Sequence, residues 1–249
     1  MDDGPTTMAE SLSLCRALAA DGISAAIATP HQLGRYDGRN RNSQIRAAVC
    51  RLNEALAAER LPLEVWPGAD VRLDERIGDL LARDEVMTLA DGARYLLLEL
   101  PSEALISPVG LARELARAGI EIVLTHPERN MYLCRNPQTV FPWLEERIFL
   151  QLTAASIVGG FGPAAEEACS YWLRSGIVSL VATDAHGTRA RRPCMTAAFA
   201  AIFHRFGLPV ARQVCIENPR RVLRGEEIVP FMATAHTEMR TWRRIARIA

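Results

Sequence analysis

The chain of 249 residues is long enough for one large domain or two small ones, and 49% of its residues are hydrophobic while 23% are charged. This composition supports a sizeable buried core, which excludes a disordered or fibrous protein. The 29 Lys and Arg residues balance 29 Asp and Glu residues, so the net charge gives no reason to expect binding to nucleic acid or to an anionic membrane.

Neither the N-terminus nor the cysteines indicate export. The first residues, MDDGPTT, lack the positive charge and the apolar core of a signal peptide, and no apolar run reaches the roughly 18 residues of a membrane span. The six cysteines lie far apart without a C-x-x-C pair, which is typical of reduced thiols. We therefore expect a cytoplasmic protein without stable membrane insertion.

Apolar, β-branched runs alternate with helical patterns along the chain. The candidate strands are, in order, Ile23–Thr29, Leu63–Asp70, Tyr95–Leu100, Glu121–His126, Ile148–Thr153 and Ser179–Thr183. Between them lie helix-start signals: a capping box formed by Thr7 and Glu10, and first-turn prolines after Ser107 and Asn136. This alternation favours a parallel sheet, either closed into a barrel or open and doubly wound.

The two ends of the chain depart from this alternation. The sequence begins with a loop-like Asp-Asp-Gly-Pro and a helix, where a β/α barrel has a strand, so we expect the first strand to be missing. The residues after Pro230 predict a helix with Met239 and Trp242 near one face and arginines elsewhere. We expect this tail to pack on the barrel or to be loosely ordered, and a membrane-surface or partner helix is the alternative. The predicted division is a barrel over residues 1–229 and a helical tail over 230–249.

Residues able to bind a metal ion lie at the ends of five candidate strands. They are His31, Asp70, Glu99, His126 and the pair Asp184 and His186. The carboxyl ends of parallel barrel strands open on one face, so these side chains are predicted to converge. Most of them also have a purely structural explanation, such as a helix cap or a buried histidine. A carboxylate within the apolar run YLLLELP is harder to explain in that way, and Glu99 therefore needs a cation nearby.

The types of side chain indicate which metals and which substrates are to be expected. Imidazole and carboxylate without thiolate favour Mn, Fe, Zn or Mg, with manganese or iron first. Arg129 lies in THPERN, and Arg189, Arg191 and Arg192 follow Asp184 closely. Guanidinium groups match phosphate oxygens, so metal ligands beside arginines predict a phosphorylated substrate. A solvated basic loop is the alternative for the arginines after Asp184.

A second phosphatase pattern is present by spacing alone. Cys215 and Arg221 are separated as in the C-x5-R motif of cysteine-dependent phosphatases. That motif needs free backbone amides around the phosphate, whereas here Glu217 adds negative charge and Pro219 lacks an N–H. We interpret the match as chance.

Taken in order, DDGPTTMAES, ATPH, GAD, LLLELP, THPERN and TDAH followed by RRP resemble the motifs of one protein family. They are similar to those of the bacterial tyrosine phosphatases of the PHP (polymerase and histidinol phosphatase) superfamily associated with capsule and exopolysaccharide synthesis. The resemblance implies an α/β fold, a distorted (β/α)7 TIM-like PHP barrel. It also implies three metal ions, usually Mn²⁺, and hydrolysis of phosphotyrosine on the cognate tyrosine kinase.

The resemblance further implies how the ions and the phosphate would be held. One ion would be bound by Asp3, His31 and His186, and a second by Glu99 and His126. Asp70 would bridge to a third ion, which Asp184 would also bind. Arg129 and either Arg191 or Arg192 would hold the phosphate.

Two departures from the family pattern affect this expectation. The bridging position usually carries Glu, whereas this chain has the shorter Asp70. The His-x-His motif of the first strand, which supplies two ligands of the third ion, is absent from the sequence. We therefore expect two to three ions, with the third held least tightly.

The expected function is metal-dependent hydrolysis of phosphotyrosine on a protein. Two alternatives stay open. One is a catalytically impaired or regulatory barrel that binds a phosphorylated kinase, and the other is a PHP phosphatase acting on a small phosphoester. The sequence does not decide the substrate, because substrate loops vary freely on one fold, and it does not decide the oligomeric state.

Overall fold

The protein is described by a computed structural model that covers residues 2–230. In this range the strands are β1 (Ala25–Ala28), β2 (His31–Gln32), β3 (Glu64–Pro67), β4 (Asp70–Arg72), β5 (Tyr95–Glu99), β6 (Glu121–Thr125), β7 (Ile148–Thr153) and β8 (Val178–Ala182). The α-helices are α1 (Met8–Ala20), α2 (Asn42–Ala58), α3 (Ile77–Ala82), α4 (Val109–Ala116), α5 (Met131–Arg135), α6 (Phe141–Leu144), α7 (Ala154–Ile157), α8 (Pro163–Arg174), α9 (Met195–Phe206), α10 (Leu208–Arg212) and α11 (Asn218–Leu223).

All pairs of these strands are parallel. The larger sheet has the order β2-β4-β5-β6-β7-β8, and β1 and β3 form a separate two-stranded sheet. Only two residues separate β1 from β2, and two separate β3 from β4, so the small sheet leads directly into the large one. Strand and helix alternate as predicted, which confirms an α/β fold with a parallel sheet.

Each of the six predicted strands is present, and one of them is interrupted. The segment predicted as Leu63–Asp70 divides into β3 and β4 around Gly68. A Cβ atom at Gly68 would lie 2.5 Å from Cγ2 of Ile27 on β1, closer than carbon atoms pack. Glycine therefore permits the close approach of two neighbouring strands at the level where both are interrupted.

The core strands carry apolar side chains on both faces, which explains the uninterrupted apolar runs in the sequence. On β5, Leu96 and Leu98 belong to the larger hydrophobic cluster, whereas Tyr95 and Leu97 belong to a second, smaller one. Ile228 from the C-terminal segment closes that smaller cluster, and its N–H donates to the Tyr95 hydroxyl over 2.9 Å. This contact lies at the amino end of β5, so the opposite end of the strands is left for the polar residues.

The predicted capping box is confirmed at the start of α1. The N–H of Glu10 donates to the Thr7 hydroxyl oxygen over 3.2 Å, and the N–H of Thr7 donates to the Glu10 carboxylate over 3.2 Å. The cap fixes where the helix begins and so fixes the short segment before it, which carries Asp2 and Asp3.

The predicted tail helix lies outside the described residues from position 231 onward. Between residues 2 and 230, no helix combines the length and the hydropathy needed to cross a bilayer.

Candidate metal and phosphate site

The predicted metal-binding residues lie at or just after the carboxyl ends of β1, β3, β5, β6 and β8. His31 and Asp70 open β2 and β4 and are direct partners in the parallel register. Glu99 is the last residue of β5, and His126 follows directly on β6. Asp184 comes two residues after β8, with His186 next on the same loop. Together with Asp3, these residues form two clusters, and Asp184 is bound by two arginines.

The first cluster joins Asp3, His31 and His186, whose potential ligand atoms all lie within 4.8 Å of one another. Oδ1 of Asp3 is 3.4 Å from Nε2 of His186 and 3.7 Å from Nε2 of His31. The segment is held in place because the N–H of His31 donates to the Asp2 carboxylate over 2.8 Å. Burial opposes ionisation of Asp3, but His186, its own backbone, His31 and Arg191 together lower its pKa. Asp3 is therefore an anion facing two imidazoles.

The second cluster joins Asp70, Glu99 and His126. Nε2 of His126 lies 3.7 Å from the Asp70 carboxylate and 3.8 Å from that of Glu99. His31 connects the two clusters, because its Nδ1 lies 3.9 Å from Asp70 and 4.0 Å from Glu99. The side chains of Asp70, Glu99 and His126 thus face one another, and His31 lies between this cluster and the first one.

Asp70 is the most buried acid of this cluster. It is only 6% exposed, and its Oδ1 has no hydrogen-bond partner among the described residues. Burial raises its pKa, although the nearby His126 imidazole acts in the opposite direction. Burial also disfavours protonation of His126, but the interaction with the Asp70 carboxylate 3.7 Å away outweighs this effect and raises the pKa of His126. A buried carboxylate oxygen without a partner is a site for a cation or a proton.

The sequence predicted a cation beside Glu99 without naming one. One positively charged group beside this carboxylate is the guanidinium of Arg72. Nη1 of Arg72 lies 3.1 Å from the Glu99 carboxylate and donates to the carbonyl of Leu100 over 3.3 Å. The signal was available, because Arg72 follows Asp70 by two positions and so shares its face of β4.

Two arginines converge on Asp184. Nη1 of Arg129 donates to its carboxylate over 2.8 Å, and Nη2 of Arg191 donates to the same oxygen. Nη1 of Arg191 is also 3.6 Å from Asp3, so this residue connects Asp184 to the first cluster. Arg192 and Arg189 are exposed on the same loop. The structure therefore shows that Arg191, rather than Arg192, contacts Asp184, a choice that the sequence left open.

The backbone is strained where two of these residues sit. His126 has φ 32° and Asp184 has φ 51°, both in the left-handed region that side chains other than glycine rarely adopt. His126 directly follows the buried strand β6, and Asp184 follows the buried strand β8 by two residues. Such conformations persist only where the surrounding structure enforces them, and they concentrate at functional sites.

Glu128, between His126 and Arg129, is a buried residue that sequence reasoning missed. It is 1% exposed, and its Oε1 accepts from the N–H of Thr153 over 2.9 Å and from the Ser156 hydroxyl over 2.8 Å. These bonds attach the loop after β6 to the end of β7. Burial raises the pKa of Glu128, although His126 and the two hydrogen bonds act against that shift. The only signal was its place inside THPERN, because a loop glutamate ordinarily predicts exposure.

The cysteine-based alternative is excluded by the position of Cys215. It lies in a π-helical segment, Gln213–Glu217, and burial raises the pKa of its thiol to about 12. Since the thiolate is the nucleophile in such enzymes, a thiol that stays protonated near neutral pH cannot serve this role. The residues from Cys215 to Arg221 are also helical throughout, so no phosphate-binding loop separates the two side chains, which agrees with the interpretation of the spacing as chance.

Comparisons with known proteins cover most of the chain and agree with one another. A family profile described as "Capsular polysaccharide synthesis, CpsB/CapC" matches residues 1–224. Tyrosine-protein phosphatase YwqE of Bacillus subtilis is 30% identical over 92% of this chain and 89% of its own length. The putative tyrosine-protein phosphatase CapC of Staphylococcus aureus is 26% identical over 97% of this chain and 94% of its own.

The fold comparison agrees with the sequence comparison. A chain from the crystal structures of YwqE from Bacillus subtilis and CpsB from Streptococcus pneumoniae superposes with a TM-score of 0.88, at 29% identity and 92% coverage of both chains. Those proteins are described as unique metal-dependent tyrosine phosphatases.

Proposed function

Because the chain belongs to the CpsB/CapC family of capsular polysaccharide synthesis, we propose that it is a metal-dependent phosphatase that hydrolyses phosphotyrosine on a protein. Its relatives YwqE and CapC carry the name tyrosine-protein phosphatase. One observation supports this proposal most strongly: two clusters of carboxylate and imidazole groups share His31 and lie beside two arginines. Such a site suits a phosphate ester and cations together.

The donor set fits metal ions. The unpartnered Oδ1 of buried Asp70 and the lack of thiolate near the site suit a hard or borderline divalent cation, with Mn²⁺ preferred over Fe, Zn or Mg. Asp3, His31 and His186 would hold one ion. Glu99 and His126 would hold a second, with Asp70 between it and a third ion beside Asp184. When bound, such ions polarise a phosphoryl oxygen and lower the pKa of a coordinated water.

The two arginines supply the remaining positive charge. Arg129 and Arg191 both donate to Asp184, and Nε of Arg191 is buried without a partner among residues 2–230. We assign Arg129 and Arg191 to the phosphate, because guanidinium donors match its oxygens and stabilise the charge that develops on it. Arg192 is left out of the site because it is exposed.

The leaving group matches this site. Tyrosine has a pKa near 10, so its oxyanion leaves readily, and the site does not need a strong general acid. Nε2 of His126 lies 3.7 Å from the Asp70 carboxylate, whose charge favours the protonated imidazole when no ion is present. Binding of a cation and protonation of His126 are therefore alternatives at the same place.

The cellular setting is part of the same proposal. We place the protein in the cytoplasm, with the phosphorylated tyrosine kinase of polysaccharide synthesis as its substrate. We also propose that the parallel sheet belongs to a distorted PHP-type barrel over residues 1–229. The parallel strand order and the likeness in fold to the chain from the YwqE and CpsB structures are the support for this assignment.

Hydrolysis of three substrates tests the proposed function. The purified chain, loaded with Mn²⁺, is assayed with para-nitrophenyl phosphate, a phosphotyrosyl peptide and a phosphoseryl peptide. We expect hydrolysis of the first two and its loss in EDTA. His126→Ala should reduce the rate by about 100-fold or more, whereas His204→Ala, an exposed histidine near the end of α9, should not change it. Metal-independent hydrolysis, or equal rates in the two variants, would refute the proposal.

A further inference from the structure

Large hydrophobic side chains are exposed around the site more than elsewhere. Six of the ten exposed large hydrophobic residues in the described part of the chain lie on the loops and short helices that follow β5, β6 and β7. They are Leu105, Ile106, Met131, Tyr132, Val158 and Phe161, between 38% and 46% exposed, and we name this set the apolar rim. Single exposed hydrophobic residues are ordinary on a protein surface, whereas a group on one side indicates a binding surface.

Hydrogen bonds hold the segments of the apolar rim together. The N–H of Met131 donates to the carbonyl of Ser102 over 3.1 Å, and Nδ2 of Asn130 donates to the carbonyl of Ala104 over 2.9 Å. These bonds join the loop after β5 to the loop after β6. Glu128 in turn joins the loop after β6 to the end of β7. The rim is therefore a fixed surface built from three consecutive loops.

The rim is continuous with the phosphate site. The guanidinium of Arg129 lies over the ring of Phe161 at 4.9 Å, while its Nη1 donates to Asp184. One side chain thus contacts the polar site and the apolar surface at the same time. A phosphotyrosine bound at Arg129 would therefore lie beside Phe161 of the rim.

The charge of the rim limits what it can bind. The segment 154–162, AASIVGGFG, has no charged residue, and the loop 101–108 has only Glu103. The third segment, 126–135, carries Arg129, which is bound to Asp184, and Arg135. Binding to an anionic membrane surface needs a cluster of basic residues, and these two arginines do not form one. Apolar or aromatic side chains of a polypeptide are the partners that this surface suits.

We propose that the apolar rim binds apolar or aromatic residues that flank the phosphotyrosine of the substrate polypeptide. This inference rests on the proposed function and adds a second determinant of specificity to it. The phosphate site recognises the charged group, and the rim recognises its neighbours through burial of apolar surface. Small aryl phosphates reach only the first of these.

Two phosphotyrosyl peptides test the rim, one with Leu and Phe beside the phosphotyrosine and one with Ser at those positions. The Mn²⁺-loaded chain should hydrolyse the apolar peptide with about 10-fold higher kcat/KM, mostly through KM. The variant Ile106→Ser with Tyr132→Ser should lose this preference and hydrolyse para-nitrophenyl phosphate as the wild type does. Phe203→Ser, which changes an equally exposed residue on α9, should keep the preference.

The outcomes separate the inference from the proposed function. The proposed role of the rim is refuted if para-nitrophenyl phosphate is hydrolysed but neither peptide is preferred, or if the preference survives in the rim variant. The proposed phosphatase function is unaffected by either result. If no substrate is hydrolysed, the proposed function is refuted. The role of the rim is then tested by fluorescence anisotropy, which compares the affinities of the two labelled peptides for the wild type and for the rim variant. A wild-type dimer that the rim variant disperses in sedimentation, or rim-dependent binding to phosphatidylglycerol vesicles, would also overturn it.

Discussion

Removal of the Glu128 carboxylate should disturb the site indirectly, through the loop after β6 that carries Arg129. In Glu128→Ala the N–H of Thr153 and the hydroxyl of Ser156 lose their acceptor inside the protein. Each buried group left unpaired costs about 1–3 kcal/mol, and the relief of a buried charge offsets part of the sum. We expect a loss of about 2–4 kcal/mol in the free energy of unfolding, measured by urea denaturation in EDTA.

The same substitution should also reduce catalysis in the protein that remains folded. The loop that Glu128 fixes carries Arg129, and a small displacement of a phosphate-binding group has a large effect on rate. We expect kcat to fall by at least about 10-fold at a temperature where the variant is folded. Glu128→Gln keeps an acceptor at Oε1 but places an amide N–H2 group where Oε2 has no partner among the described residues, so it should recover only part of the stability and of the rate. Glu103→Ala, at an exposed glutamate of the neighbouring loop, serves as the matched control.

Two results would refute this reasoning. Glu128→Ala with wild-type stability would mean that the two donors find other partners. A Gln variant as impaired as the Ala variant would mean that the charge of the buried carboxylate, rather than its hydrogen bonds, determines the effect.

Three further predictions follow from separate contacts. Arg191→Ala should lower kcat/KM for phosphotyrosyl peptide by about 100-fold, while Arg192→Ala should change it less than about 3-fold, because only the first contacts the site. Gly68→Ala should reduce the free energy of unfolding by about 1–3 kcal/mol, measured in urea, since its Cβ would overlap a side chain of β1. The Arg46 guanidinium lowers the pKa of exposed Asp84 to about 2; Asp84→Asn should therefore be less stable than the wild type by under about 1 kcal/mol at pH 7. That difference should disappear as the pH falls from about 4 to about 2, and a difference unchanged at pH 2 would contradict the assignment.

The sequence predicted most of the fold because the central strands are apolar on both faces. β5 to β8 have long runs of leucine, isoleucine and valine, and tertiary packing agrees with local preference there. β2 has only two residues, too few to produce a period, and was not predicted. The break at Gly68 was also missed, because close approach of a neighbouring strand is not a property of the local sequence.

The residue pattern predicted most members of the candidate site, whereas their grouping into Asp3, His31 and His186 and into Asp70, Glu99 and His126 came only from the family resemblance. Positions at strand ends identified the residues, while their division into two clusters sharing His31 depends on the register between His31 and Asp70. Sequence reasoning missed Arg72 and Glu128 because a polar residue on a strand or loop ordinarily predicts contact with water. It could not choose between Arg191 and Arg192, since the loop after β8 has no periodicity from which a facing side could be read.

The left-handed backbone at His126 and Asp184 has a consequence for how such a protein changes during evolution. Both residues adopt a conformation that glycine or asparagine would adopt more easily, and Asp70 adds a buried oxygen without a partner in the described structure. The metal-free polypeptide is therefore less stable than a variant with glycine or asparagine at positions 126 and 184 would be. A lineage released from selection for activity would gain stability by replacing these residues first. Stabilised descendants should then carry glycine or asparagine after β6 and β8, on a sheet that is otherwise unchanged.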